Sequence, residues 1–297
     1  MSAVSISYND LVNAPGSLQR QIEQAFGNGE DALGVIIIKA SVVAPTFPRR
    51  PARAVPEIAR GLAQTRRQVR FSARRDPRKV LEEGSGVYAS TPTHLFGWSH
   101  GKEIMNGKPD IYKGSYYANP LVDHPNVDEE LRQKNYMYYG DNVWPEQSEP
   151  GMQNFEQAFK DLGKLIHSVG LLLSKACESF VSPHVKSCTS SSADITDFIA
   201  TSQCNKARLL HYFPPSPSKA QNGAEDNAVQ DDACGIHLDH SLLTGLCSAM
   251  YLDHGADGSE PKVVPAPDPK AGLWICPRRK GSEPVKVSIP ADCLGTL

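Results

Sequence analysis

The sequence predicts an α+β protein in which helices come first and a double-stranded β-helix, or jelly roll, follows. Apolar residues recur at helical spacing between residues 11 and 26 and again between residues 155 and 180. After residue 205, short β-leaning runs alternate with turns containing Pro and Gly, which is typical of antiparallel β structure. We expect an N-terminal region of helices and strands, residues 1–150, and a second region, residues 151–297, with a long helix and an incomplete jelly roll.

The N-terminal region begins with an amphipathic helix. Its apolar face consists of Leu11, Leu18, Ile22 and Phe26. Either Asn9 or Asp10 can cap the helix, because a short polar side chain accepts a hydrogen bond from the first helical N–H groups. A strand is expected at residues 35–38. The prolines in residues 45–56 predict a loop, and a second helix is expected at residues 58–69.

The longest predicted helix lies at residues 155–180. Its apolar positions are separated by three or four residues, so they form one face that should pack against a sheet. These positions are Phe155, Phe159, Leu162, Ile166, Val169, Leu173, Ala176 and Phe180. Two polar stretches, residues 187–197 and 214–232, predict surface loops. The tail predicts two strands, at residues 272–276 and 285–289.

The composition is that of a globular enzyme and does not choose among enzyme classes. Of 297 residues, 40% are hydrophobic, and the formal net charge is −2, so nothing points to a polyanionic partner. Arginines crowd residues 49–78 but are interleaved with prolines and apolar residues, which favours a solvated basic face over a nucleic-acid surface. No apolar run predicts a membrane helix or a secretory signal. The 7 scattered cysteines indicate reduced thiols, so we expect a cytoplasmic protein.

His237 and Asp239 stand two residues apart, just before a largely apolar run at residues 240–252 that predicts strand structure. Such a triplet also arises by chance on polar loops, but the following run would hold it at the entrance to a strand. Residues i and i+2 of an extended strand share a face, so we expect both side chains to face the interior and converge on one ion. A histidine and a carboxylate supply two of the three ligands of a facial Fe(II) site.

The stretch His237-Leu-Asp-His-Ser-Leu-Leu-Thr244 resembles the iron-binding block of the Fe(II)/2-oxoglutarate-dependent dioxygenase superfamily. The likeness is to the group that includes plant-type dioxygenases and isopenicillin N synthase. It extends over most of the chain and is strongest from about residue 205 to residue 252. The other similar segments are Gly34-Val-Ile-Ile-Ile-Lys39, Trp98-Ser-His-Gly-Lys-Glu103, Lys113-Gly-Ser-Tyr-Tyr-Ala-Asn-Pro120, Asn142-Val-Trp-Pro145 and Lys206-Ala-Arg-Leu-Leu-His-Tyr-Phe-Pro-Pro215.

The resemblance implies that His237 and Asp239 bind Fe(II) and that 2-oxoglutarate is the co-substrate. Oxidative decarboxylation of 2-oxoglutarate would then support oxidation of a small organic molecule by O2. Phe213 stands where many relatives have a tyrosine whose hydroxyl contacts the co-substrate, and Tyr212 is adjacent. The resemblance therefore implies a co-substrate site that includes Tyr212 and Phe213.

The strand that carries Tyr212 and Phe213 is expected to run beside the iron-motif strand. Alternation along it divides the side chains between two faces. One face carries Arg208, Leu210 and Tyr212, and the other carries Leu209, His211 and Phe213. Both faces contain apolar residues, but the family position of Phe213 favours that residue facing the pocket.

The end of the chain departs from the family's pattern. The family's distal histidine and the Arg-X-Ser pair that binds 2-oxoglutarate follow a strand that residues 285–294 resemble, yet the chain ends at Leu297. No histidine follows His254, which lies in a loop, and the side chain of His240 should point away from Asp239. We therefore expect a jelly roll without its last strands, exposed sheet edges, weak iron affinity and little or no 2-oxoglutarate turnover.

The predicted function is that of a dioxygenase-like protein acting on a small molecule, with neither nucleic acid nor membrane as partner. Two alternatives stay open. One is a non-catalytic binding or regulatory protein derived from a dioxygenase. The other is an oxidase like isopenicillin N synthase, which uses Fe(II) and O2 without 2-oxoglutarate. The substrate is not indicated, because variable loops determine it in this group.

Overall fold

In a computed structural model, the described part of the chain comprises residues 2–39, 95–105, 108–148, 152–188, 194–213, 236–253 and 262–297. Its helices are α1 Tyr8–Asn13, α2 Gln19–Phe26, α3 Glu129–Lys134, α4 Tyr136–Tyr139, α5 Phe155–Cys188 and α6 Ile195–Thr201. Its strands are β1 Val4–Ser7, β2 Ile36–Lys39, β3 Gly97–His100, β4 Ile104–Met105, β5 Lys108–Pro109, β6 Lys113–Ala118, β7 Ala207–Tyr212, β8 Gly245–Cys247, β9 Tyr251–Asp253, β10 Lys262–Val264, β11 Leu273–Ile275, β12 Val285–Val287 and β13 Cys293–Thr296. The predicted mixture of helices with mainly antiparallel sheets is confirmed.

The first predicted helix is divided in two. A 3-10 turn, Pro15–Leu18, separates α1 from α2, because proline lacks the N–H that would continue the α-helical hydrogen bonding. Ser7 caps α1, and its hydroxyl accepts a hydrogen bond from the N–H of Asn9 at 3.1 Å. The predicted caps, Asn9 and Asp10, are therefore wrong. The predicted apolar face is confirmed, since its members belong to or pack against one buried cluster.

The chain divides into two units, each assembled from segments that are separate in sequence. Unit 1 contains residues 1–74, 157–202 and 241–297, and unit 2 contains residues 75–156 and 203–240. The sequence-based division into residues 1–150 and 151–297 stays a prediction.

Unit 1 is built on a four-stranded sheet in the order β1-β2-β13-β8. β1 is parallel to β2, whereas β13 is antiparallel to both β2 and β8. On one face, Ile36 and Ile38 pack with Ile22 of α2 and with Val169 and Leu173 of α5. On the other face, the buried cluster consists of Leu33, Val35, Ile37, Val287 and Cys293. Both faces of β2 are thus buried, which explains its uninterrupted apolar sequence.

The long helix and the two tail strands are confirmed. α5 includes the whole predicted segment, and β11 pairs with β12 in an antiparallel hairpin. The loop predicted at residues 187–197 is wrong in part. α5 continues to Cys188 and α6 begins at Ile195, where apolar residues alternate with polar ones at helical spacing. The arginine-rich residues 49–78, the loop at 45–56, the helix at 58–69, the loop at 214–232 and His254 lie outside the described residues.

Unit 2 contains a three-stranded antiparallel sheet in the order β3-β6-β7. The alternation predicted for β7 is confirmed. Its exposed positions are Arg208, Leu210 and Tyr212, and its partly buried positions are Ala207, Leu209 and His211. The strand neighbour was predicted wrongly, because β7 pairs with β6, and β8, which follows the iron motif, belongs to the sheet of unit 1. Among the described helices, none has both the length and the apolar character needed to span a membrane.

Candidate metal and co-substrate site

His237 and Asp239 lie next to each other in the structure. The distance from Nε2 of His237 to Oδ1 of Asp239 is 3.4 Å. The backbone between them has no helical or strand hydrogen bonding, and the strand that follows, β8, begins only at Gly245. The sequence spacing therefore brings an imidazole nitrogen and a carboxylate oxygen together without the aid of a strand.

The prediction that both side chains face the interior of the β structure is wrong. The side chain of His237 is 58% exposed and that of Asp239 is 40% exposed. Ile236 and Leu238, which alternate with them, are 86% and 88% exposed. A polar segment that includes His240 and Ser241 precedes the pairing with β13, which begins where Thr244 and Leu297 exchange two backbone hydrogen bonds.

The described residues supply two ligands for a metal but no third. None of the described His, Cys, Asp and Glu side chains form a group of three or more that could hold a metal ion. His240 is exposed, and His254 lies outside the described residues. The predicted ligand roles of His237 and Asp239 therefore rest on their mutual geometry, and both roles stay predictions.

Tyr212 and Phe213 point to different faces of the sheet in unit 2. The side chain of Tyr212 is 46% exposed, on the same face as Arg208. Phe213 is partly buried, and its ring is edge-on to two imidazoles, with centroids 5.0 Å from His100 and 4.8 Å from His211. Phe213 is thus the more shielded of the two, as its family position suggested, while a role for either residue in binding a co-substrate stays a prediction.

The face of this sheet that carries Arg208 also carries a cluster of ionised side chains that we did not predict. Nζ of Lys113 lies 2.9 Å from Oδ2 of Asp110 and 3.5 Å from Oε2 of Glu103. Arg208 donates from its NH2 group to both oxygens of Glu103, at 2.7 and 3.0 Å, and to Oγ of Ser115 at 2.7 Å. A cleft beside the cluster is lined by Ser99, Gly101, Glu103, Asp110, Lys113 and Ser115. Two cations face two carboxylates, so the cluster is electrically balanced.

Neighbouring groups set the ionisation of this charged cluster. Burial alone would raise the pKa of Glu103, but the hydrogen bond from Tyr117 and the charges of Arg208 and Lys113 together lower it. Burial, and then the hydrogen bond to Glu103, raise the pKa of the Tyr117 hydroxyl. Both effects keep Glu103 ionised and Tyr117 protonated at neutral pH. The signal in the sequence was a charged residue in each of two strand segments, Lys113 at the start of β6 and Arg208 within β7.

No protein-family model matches the sequence, and no curated protein matches it either. Solved structures do match. A 2OG-Fe(II) oxygenase family protein of Caulobacter crescentus is 17% identical, with a TM-score of 0.50, over 100% of this chain and 73% of that chain. A full-length protein of Neurospora crassa in complex with alpha-KG is 13% identical, with a TM-score of 0.54, over 99% of this chain and 72% of that chain. A C-terminally truncated form of that Neurospora crassa protein, in apo form, has a TM-score of 0.51 at 13% identity, over 98% of this chain and 79% of that chain.

At identities of 13% to 17% this likeness concerns the fold. The chain therefore shares its fold with a 2OG-Fe(II) oxygenase family protein, as its motifs led us to expect.

Proposed function

We propose that this chain is an oxygenase-like protein that binds Fe(II) through His237 and Asp239 and oxidises a small organic molecule with O2. The observation that carries the proposal is the separation of 3.4 Å between Nε2 of His237 and Oδ1 of Asp239. We further propose that the antiparallel sheets form part of a jelly roll, which the likeness to 2OG-Fe(II) oxygenases supports.

The separation of these two atoms suits a shared metal ion. Two ligands in neighbouring octahedral positions, each about 2.1 Å from a first-row metal, lie about 3.0 Å apart. The observed distance is close to that value, so a small rotation of either exposed side chain would bring both atoms into coordinating positions. A simple imidazole–carboxylate contact has a similar length, which is why metal binding must be measured directly.

The donor set fits a metal with an open coordination sphere. An imidazole nitrogen and a carboxylate oxygen are ligands that Fe(II) accepts, and exposure of both side chains leaves room for water, O2 and a co-substrate. When bound, iron would supply the activation of O2, with 2-oxoglutarate as the proposed reductant. The role of His237 is to bind the metal through its neutral imidazole, and that of Asp239 is to bind the metal and neutralise part of its charge.

The proposed co-substrate residues are Tyr212 and Phe213. A phenyl ring cannot donate a hydrogen bond to a carboxylate, so Phe213 would contact the co-substrate by shape only. Tyr212, which is 46% exposed, carries its hydroxyl on the opposite face. Structures of the Neurospora crassa protein contain alpha-KG, alone or with thymine or 5-formyluracil, which supports the proposal of a small-molecule substrate here.

One observation favours a second candidate, a non-catalytic metal-binding or regulatory protein. The described residues offer no third ligand, and two ligands alone hold a metal loosely. The alternative of an oxidase that does not use 2-oxoglutarate differs from both in consuming O2 when no 2-oxo acid is present. These three functions give different results in one set of assays.

The first experiment is an anaerobic titration of the purified full chain with Fe(II), in which isothermal calorimetry measures the binding affinity. We expect His237→Ala and Asp239→Ala each to lose at least about tenfold in affinity, because each removes one of two protein ligands. His240→Ala is the matched control, since it removes an exposed imidazole one residue away and should bind as the wild type does. Unchanged affinity in His237→Ala would disprove the proposed site.

The second experiment measures O2 consumption and succinate release by the Fe(II)-loaded chain. Succinate release that depends on Fe(II) and His237 supports a 2-oxoglutarate oxygenase. O2 consumption without 2-oxoglutarate indicates the oxidase, and tight metal binding with neither reaction indicates the non-catalytic protein. A 2-oxo acid panel is included, so that a different co-substrate is not mistaken for inactivity.

A further inference from the structure

The segment that carries His237 and Asp239 is exposed, so both proposed ligands can be reached from outside the chain. Their side chains are 58% and 40% exposed. Ile236 and Leu238 alternate with them and are 86% and 88% exposed, although both are large and apolar. A second protein molecule can therefore approach the imidazole and the carboxylate directly. Such an approach would also remove apolar surface of this segment from water.

The pair supplies half of the ligands that a metal site built from protein commonly contains. Nε2 of His237 and Oδ1 of Asp239 are two donors, 3.4 Å apart. Within the described ranges, the His, Cys, Asp and Glu side chains form no group of three or more that could hold a metal ion. Zinc in structural sites takes four ligands, and it accepts imidazole nitrogen and carboxylate oxygen. A second pair of the same kind would complete such a set.

Charge also favours two copies of this pair over one. Asp239 brings one negative charge, whereas His237, as a neutral imidazole ligand, brings none. A single pair therefore neutralises only half the charge of a divalent ion, and two pairs neutralise all of it. Because a neutral centre costs less to cover with protein than a charged one, the ion is better suited to a contact between two chains when both supply a carboxylate.

We propose that the pair His237 and Asp239 is half of a divalent metal site, which a second copy of this chain completes with the same two residues. The inference rests on the function proposed above, because it requires that this pair binds metal. Identical surfaces meet in such a dimer, which is the commonest symmetry of soluble homo-oligomers. Since the second copy carries both missing donors, no protein of another kind is needed to complete the site.

The metal, rather than the protein surface, should hold this dimer together. A stable interface between proteins buries about 1,200–2,000 Å² in total. Contact between two segments of a few residues each is much smaller, so removal of the metal should dissociate the dimer. Four protein ligands also leave at most two positions of an octahedral ion open, whereas a bidentate 2-oxo acid and O2 together need three. The shared site is therefore a closed form of the proposed oxygenase site, and the monomer is the form that can react.

The test is sedimentation velocity of the purified full chain titrated with Zn(II), a probe without redox chemistry of its own. We expect the dimer fraction to rise with added metal and to level off near one ion for each two chains, and EDTA to reverse the change. His237→Ala and Asp239→Ala should each lower the affinity of dimerisation at least about tenfold. His240→Ala removes an exposed imidazole next to the pair and is the matched control, which should dimerise as the wild type does.

The possible outcomes separate this inference from the proposed function. One ion bound to each chain, with an unchanged sedimentation coefficient, would overturn the shared site and leave the proposed metal site intact. Metal binding that His237→Ala and Asp239→Ala do not weaken would overturn both. Metal-dependent dimerisation that persists in either variant would place the contact between the chains elsewhere and would also overturn the inference.

Discussion

Lys113 and Asp110 form a buried ion pair, with 2.9 Å between Nζ and Oδ2 and side chains only 3% and 7% exposed. Removing one charge of such a pair leaves the other without full compensation in a medium of low polarity. We expect Asp110→Asn to lower the free energy of unfolding by about 3 kcal/mol, measured by urea denaturation. We expect no larger loss of stability, because Glu103 lies 3.5 Å from Lys113 and still compensates part of its charge.

An exposed ion pair provides the matched control for Asp110→Asn. Arg279 contacts Glu30 and Asp31, both at 3.1 Å, and its side chain is 50% exposed. Arg279→Gln should change the free energy of unfolding by less than about 1 kcal/mol, because water screens such pairs. Equal effects of the two substitutions would show that burial of Lys113 and Asp110 does not determine their contribution.

Acid should weaken unit 2 through Glu103. The pKa of Glu103 is lower in the folded chain than its ordinary value of 4.5, so the folded chain binds this proton less tightly than the unfolded chain does. The stabilisation is present above about pH 4.5 and is lost as the pH falls through the lowered pKa. We expect the free energy of unfolding to fall more steeply below about pH 4.5 in the wild type than in Glu103→Gln.

The acid prediction is checked by urea denaturation at a series of pH values for both proteins. Glu103→Gln is expected to be less stable at neutral pH, because Arg208 and Lys113 lose a charged partner. The difference between the two proteins should shrink as the pH falls. A difference that stays constant from about pH 7 down to about pH 3 would contradict the assigned role of Glu103.

Local patterns in the sequence predicted the elements better than their arrangement. The spacing of apolar residues located α5, and the uninterrupted run of β2 matched a strand buried on both faces. The pairing of β13 with both β2 and β8 joins residues that are more than 250 and nearly 50 positions apart, and no local pattern encodes such a contact. The neighbour of β7 was predicted wrongly for the same reason.

Local sequence patterns also predicted only part of the candidate site. The His-X-Asp spacing correctly suggested that His237 and Asp239 lie side by side, because two positions apart is a short distance in any extended backbone. It did not indicate their exposure, which depends on where the ladder of β8 begins. The charges on Lys113 and Arg208 were visible in the sequence, but their partners Asp110 and Glu103 come from turns and loops whose positions only the fold determines.

Gly114 marks a close approach between two strands. A Cβ at this position in β6 would overlap Cη2 of Trp98 and lie 2.5 Å from its Cζ2, and Trp98 is only 7% exposed. We expect Gly114→Ala to lower the free energy of unfolding by about 2–3 kcal/mol, because the indole cannot move without disturbing its buried neighbours.

A glycine in open space is the control for Gly114→Ala. Gly170 lies within α5, and a Cβ there would meet no atom within 4 Å. Gly170→Ala should therefore raise the free energy of unfolding by about 0.5–1 kcal/mol, since alanine favours the helix. Thermal denaturation of the two variants in parallel distinguishes steric clash from a general sensitivity to alanine. A free energy of unfolding of Gly114→Ala equal to that of the wild type would mean that Trp98 has space to shift.

His237 and Asp239 should contribute to stability only when a metal is present. Their side chains are 58% and 40% exposed, and neither belongs to a described apolar cluster. His237→Ala and Asp239→Ala should therefore change the unfolding free energy of the metal-free chain by less than about 0.5 kcal/mol.

A metal that binds the folded chain stabilises it by about 2.7 kcal/mol at a free concentration roughly 100 times the Kd. We therefore expect Fe(II), added anaerobically, to raise the melting temperature of the wild type and of His240→Ala clearly more than that of either ligand variant. Scanning calorimetry at several metal concentrations measures this difference. A shift of equal size in all four proteins would place the bound metal elsewhere on the chain, and destabilisation of the metal-free variants would show instead that the contact between His237 and Asp239 serves the fold.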